Sequence, residues 1–236
     1  MAVNIDTVYQ RVLALANKEQ RGYITPQEFN LFANHAQMEI FEQYFYDLNQ
    51  FLRVPGNNTV HSDVDDMLYE KLQFLEAVDD SATISSYASN PAGLKVLPNY
   101  VYRVNKVSFN NIDCEILNTK DFNNVKNGGP LIKPTAQRPV VNISNSQAIS
   151  CLAPENVTPT EIIYFKTPSK AQWAYVIVNE KPLWNPGLTV DFELHPSEEV
   201  KLVYKILKLA GVNLKSPEVV QVSQALETNQ VQQEKQ

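Results

Sequence analysis

The sequence predicts an α+β protein. It has a helical subdomain built from N- and C-terminal helices, a central antiparallel β-sandwich or barrel-like insertion, and a C-terminal extension. Three observations carry this. Apolar residues recur at helical spacing through the first 80 residues. From 81 to 194 the pattern shifts to short alternating runs punctuated by Ser, Thr, Asn, Pro and Gly. Helical spacing returns after His195. The expected parts are residues 1–80, 81–194, 195–212 and 213–236.

In the first part, Ile5, Val8, Val12 and Leu15/Ala16 give residues 4–19 one apolar helix face. Gly22 punctuates. Thr25 then suits an N-cap, Pro26 the first helical position, and Glu28 completes a capping box. Phe29, Phe32, Ile40, Phe41, Tyr44 and Phe45 lead a stripe expected to form the helical core, packed on residues 4–19 and on the helix after His195. "VPGNN" at 54–58 ends this helix. A shorter helix is expected in "HSDVDDMLYEKLQFLEAV", capped by Asp63, with Met67, Leu68, Leu72 and Leu75 inward; "KLQFLEAV" also suits a strand.

In the second part, "YVYRVNKVSF" (100–109) alternates like a half-buried strand. "IDCEIL" (112–117), "PVVNIS" (139–144), "AISCLA" (148–153), "TEIIYFK" (160–166) and "LTVDFEL" (188–194) follow as strands. Eleven of the 14 prolines lie between 91 and 196, which fits many turns and edges. "KNGGP" (126–130) reads as an exposed loop, and Trp173 and Trp184 read as packing residues.

Pro196 opens the next helix, with Glu198 and Glu199 at its positive end. Val200, Val203, Ile206, Leu207 and Ala210 form its apolar face. Lys205 and Lys208 suit its last turn, and Gly211 its stop. Ser216 and Pro217 then start a final helix whose apolar face is thin: Val219, Val222 and Leu226. An isolated helix of this length is marginal in water. These five residues are therefore expected to dock on a partner chain.

Composition bounds the function. A hydrophobic fraction of 44% and a charged fraction of 19% are ordinary for a globular protein. The net charge of −6 with dispersed lysines argues against base reading or tight phosphate binding. The N-terminus has Asp6 and no unbroken apolar run, so it reads as neither signal peptide nor membrane span. Cys114 and Cys151 lack a CxxC or flanking histidines and read as reduced thiols in a β region, with a disulfide as the alternative.

Motifs for chemistry are sparse. His35, Glu39 and Glu42 can share a helix face, but a di-metal bundle uses Glu-x-x-His and matching carboxylates from other helices. They read more simply as a solvated face opposite the aromatic stripe. "DVDDMLYE" (63–70) fails as a calcium loop, because Leu68 and Phe74 stand where glycine and glutamate are required. No G-x-S-x-G accompanies His195, and no P-loop or G-x-G-x-x-G exists. No catalytic, cofactor or metal residue is assigned.

"IDTVYQRVLALANKEQRGYITPQEFNLFANHAQMEIFEQYF" resembles the N-terminal region of structural proteins in short-tailed bacteriophages, particularly crAss-like and marine podovirus-type phages. "CEILNTKDFNNV…PLIKPTAQRPVV", "PTEIIYFKTPSKAQWAY" and "VDFELHPSEEVKLVYKILKLAGVNLKSPEVVQ" extend the resemblance over nearly the whole chain. It implies a non-enzymatic virion protein of the neck or tail region, made in the host bacterial cytoplasm. The implied role is a portal-adjacent adaptor or ring subunit of the head-to-tail connector. Implied partners are the portal protein, adjacent ring and tail proteins and further copies of the chain, as a dodecamer. DNA would pass without sequence-specific binding, and no membrane is involved. Within the same class the alternative is another neck, tail-tube or minor head protein. From other classes come a metal-dependent hydrolase using the acidic clusters and a host-side β-sandwich binding module.

Overall fold

A computed structural model describes residues 2–17, 24–53, 59–89, 94–144, 148–153, 155–213, 221, 224–226 and 228–229. The chain begins with helices α1 (Ile5–Asn17), α2 (Pro26–Arg53) and α3 (Thr59–Gln73). Then come β1 (Glu76–Asp80), α4 (Ser81–Ser86), β2 (Lys95–Val96), β3 (Val101–Phe109), β4 (Ile112–Asp113) and β5 (Glu115–Ile116). Helix α5 (Thr119–Asn127) is followed by β6 (Val140–Ile143), β7 (Ala148–Leu152), β8 (Asn156–Val157) and β9 (Glu161–Lys166). Strands β10 (Tyr175–Val178) and β11 (Lys181–Trp184), a 3-10 turn (Pro196–Glu198) and α6 (Glu199–Asn213) complete the order. The protein is α+β with mainly antiparallel sheets.

Two compact units emerge: residues 1–74 with 168–236, and residues 75–167. The divisions expected at 80/81 and 194/195 therefore move to 74/75 and 167/168. Residues 168–194, expected in the β part, belong to the helical unit. The reason is a row of amides on α2. Asn30 and Asn34 donate to the carbonyls of Trp173 and Ala171 at 3.2 and 2.9 Å, and Gln37 donates to Ser169 at 2.7 Å. Trp173 N–H returns a bond to Asn30 at 2.9 Å. Spacings of four and three put these amides on one helix face, where they satisfy carbonyls of an extended segment that otherwise pairs at the Gln172–Val190 bridge. "LTVDFEL" accordingly makes only isolated bridges, Gln172 with Val190 and Val3 with Phe192.

In the helical unit, Thr25 and Glu28 form the expected reciprocal box: Thr25 N–H donates to Glu28 Oε2 at 3.0 Å and Glu28 N–H to Thr25 Oγ1 at 3.3 Å. α2 contacts α3 and α6, and α1 contacts α6. Ile5, Val8 and Val12 of α1 are buried, as are Phe29, Ile40, Phe41, Tyr44 and Phe45 of α2. Phe32 is only half-buried, because the small Ala33 and Ala36 take the inward positions beside it. On α3, Met67 is exposed while Leu68 and Leu72 are buried. The helix starts at Thr59, so Asp63 lies inside it and is not its cap. On α6, Leu202 takes the inward place expected for Val200, which is exposed. The helix continues through Gly211 to Asn213, which leaves Lys205 mid-helix. Of the residues assigned to partner docking, Ser216, Pro217, Val219 and Val222 lie outside the described residues; Leu226 is helical and exposed.

In the β unit one sheet has the order β1-β9-β3-β4 and the other β2-β7-β6-β5, with β8 on β7. Among the described strands neither sheet closes into a barrel. β5 runs parallel to β6; every other pair is antiparallel. Val101, Val107, Ile162 and Tyr164 of the first sheet share a core with Val141, Ile149 and Cys151 of the second. The expected strand 112–117 divides at Cys114 into β4 and β5, one per sheet. Two helices lie in stretches to which the sequence reading assigns no element. Asp80 caps α4 by accepting from Thr83 N–H at 2.8 Å, and Asn118 caps α5 by accepting from Asp121 N–H at 2.9 Å.

Candidate functional site

The sequence points first to His35, Glu39 and Glu42. All three are exposed. Glu39 pairs with Lys205 Nζ at 2.6 Å, which ties α2 to α6. Among the described residues, no group of three or more His, Cys, Asp or Glu is placed to hold a metal ion. His195 serves as a cap. Its Nδ1 accepts from Ser197 N–H at 3.3 Å and lies 2.9 Å from Ser197 Oγ, which fixes the turn that leads into α6. His195, Pro196, Glu70, Gln73 and Phe74 line an open groove of about 350 Å³. Ligand sites are normally concave and enclosing, and this groove is neither.

Two features of the helical unit do stand out. The first is charge held inside. Glu198 is fully buried, with Lys71 Nζ at 2.7 Å and Lys201 Nζ at 3.6 Å. Burial pushes the Glu198 carboxyl up, but the ammonium groups of Lys201 and Lys71 outweigh it, and the carboxyl sits below its ordinary range. Lys71 also lies over the Tyr44 ring at 5.9 Å. This network joins α2, α3 and α6. In sequence Glu198 reads as a helix-dipole acid; its burial is not visible there, because Lys71 comes from α3, distant in the chain.

The second is apolar surface held outside. Strands β10 and β11 form a two-stranded hairpin. Asn179 and Glu180 at its tip have φ of 48° and 63°, the left-handed pair that a two-residue turn of this kind requires. Facing residues in the register share a side: Tyr175, Trp184, Ile177 and Pro182 on one, Val176, Leu183, Val178 and Lys181 on the other. Both sides are exposed, with Ile177 at 68%, Leu183 at 54% and Val176 at 50%. The base is fixed. Trp173 is buried against Tyr9 at 4.4 Å and donates to Asp6 at 2.9 Å, and Trp184 donates to Thr189 at 3.0 Å. Trp173 is thus a packing residue, while Trp184 stands half out of the surface.

An isolated two-stranded hairpin is marginal in water, and contiguous exposed apolar surface marks an interaction site. The hairpin is therefore the best candidate site in the molecule. Sequence reading missed it because "AYVIV" has the composition of a buried strand and Asn-Glu is a weak turn signal. Among the described residues no helix is long and apolar enough to cross a membrane. No protein-family model matches this sequence, and no curated protein matches it.

Proposed function

We propose that the chain is a structural subunit of a phage head-to-tail connector, a portal-adjacent ring protein around the DNA path. In this reading the chain ends supply a helical subdomain, the β unit is inserted into it, and the segment after α6 docks on a neighbouring layer. The observation that carries the proposal is the β10–β11 hairpin, apolar on two opposite faces. A flat partner covers one face of such a ribbon. A subunit in a closed head-to-tail ring has copies on either side, and a ribbon lodged between them has both faces covered. The rigid base at Trp173 suits a contact element that must hold one geometry. The net charge of −6 suits a channel wall that DNA slides past, since phosphate contacts supply most non-specific affinity.

The test is native mass spectrometry and electron microscopy of the purified full chain, alone and with portal rings. Closed rings, alone or templated on the portal, support the reading. A chain that stays monomeric in both settings and carries stoichiometric zinc, iron or manganese contradicts it and favours the hydrolase.

A further inference from the structure

Cys114 and Cys151 are both buried, and their sulfurs lie 3.9 Å apart. They come from different sheets. Cys114 sits at the crossover between β4 and β5, and its N–H donates to Val107 of β3 at 2.8 Å. Cys151 is on β7, opposite Val141 of β6 and Val157 of β8. Both belong to the core the two sheets share. We propose that Cys114 and Cys151 form a redox-controlled staple between the two sheets of the β unit, closed by thiol–disulfide exchange with a small-molecule disulfide. This proposal is independent of the connector reading.

The sulfurs are already side by side in the core and must close from 3.9 Å to about 2.05 Å to bond. The environment also sets an order of attack. Cys114 is the less buried of the two, at 8% against 1%. A thiolate at Cys114 can accept from the Cys151 thiol 3.9 Å away, which pulls the Cys114 thiol down, while the same contact and burial push Cys151 up. In the first step the Cys114 thiolate attacks one sulfur of the external disulfide; an S–S bond forms, the original one breaks, and one thiolate leaves. In the second, Cys151 gives its proton to that thiolate and attacks the Cys114 sulfur, releasing the second thiolate. Two protein thiols are oxidised to one disulfide, and one external disulfide is reduced to two thiols.

The consequence is mechanical. The bond closes a loop between positions 37 apart in sequence and fixes the crossover to the middle strands of the second sheet. Loop closure of that size raises the folding constant by roughly a hundredfold or more.

The experiment is to treat the full-length chain with oxidised glutathione and follow it by intact mass, thiol titration after unfolding, and amide exchange. The expected result is a monomer lighter by two hydrogens, with no titratable thiol and amide exchange in β3, β6 and β7 slowed roughly a hundredfold. Dithiothreitol should reverse all three. Cys151→Ala should stop at a glutathione adduct on Cys114. Should that variant fail to fold, the wild-type oxidised and reduced forms carry the test alone. Thiols that remain titratable, adducts that never resolve, or disulfides only between chains would overturn the proposal.

Discussion

The helical unit holds two regions that invert the usual distribution of polarity. Along α6 and the turn that leads into it, Glu198, Lys201 and Lys205 are buried. On the β10–β11 hairpin, Val176, Ile177 and Leu183 are exposed. The first inversion is complete within the chain, because each charge has a partner: Lys71 and Lys201 for Glu198, and Glu39 for Lys205. The second has no cover in the described chain. Hydropathy alone assigns both regions wrongly. Partnership separates them: a buried charge with partners belongs to the fold, and in the proposed reading an exposed apolar ribbon on a rigid base belongs to assembly.

Four changes break or sharpen this contrast. Phe41→Ala, in the buried spine of α2, is expected to cost about 4 kcal/mol in chemical denaturation and to abolish assembly with the fold. Glu198→Gln removes the carboxylate between two lysines and is expected to cost about 3 kcal/mol, since breaking a buried pair leaves charge uncompensated. The sign of its pH dependence is fixed. The folded carboxyl lies below its ordinary value, so its contribution is full above about pH 4.3 and is lost as pH falls through the folded value. Glu198→Gln should flatten that acid limb of the stability curve; an unchanged limb would place the network outside the fold's energetics.

Ile177→Asp tests the opposite pole. Its stability effect should stay within about 0.5 kcal/mol, because the side chain is exposed, while ring formation measured by native mass is lost. A loss of stability without loss of rings would make the hairpin part of the fold. The smallest effect is expected for His35→Ala, within about 0.5 kcal/mol and independent of added metal. A metal-dependent change in its melting would restore the metal reading of His35, Glu39 and Glu42.

The parts of the fold legible in sequence were those written locally. The Thr25–Glu28 box, the stripe from Phe29 to Phe45 and the strands at 101–109, 140–143, 148–152 and 161–166 announce themselves through spacing and caps. What stayed hidden depends on partners distant in sequence. Residues 168–174 look like part of a sheet until Asn30, Asn34 and Gln37 reach them from α2. The single run 112–117 conceals a change of sheet at Cys114, since periodicity of two does not say which sheet receives the hydrogen bonds. The candidate site was the least legible. Exposure of "YVIV" is a property of what the fold leaves uncovered, which composition and spacing do not record.

The central claim is placement in a ring around the DNA path. Its most direct test is an asymmetric or locally averaged reconstruction of phage particles purified from cells that make this chain. The account predicts density for the chain between portal and tail as a closed ring, with the β10–β11 hairpin at the contact between adjacent copies. A chain absent from the particle, or located in the head shell with that hairpin in solvent, would contradict it.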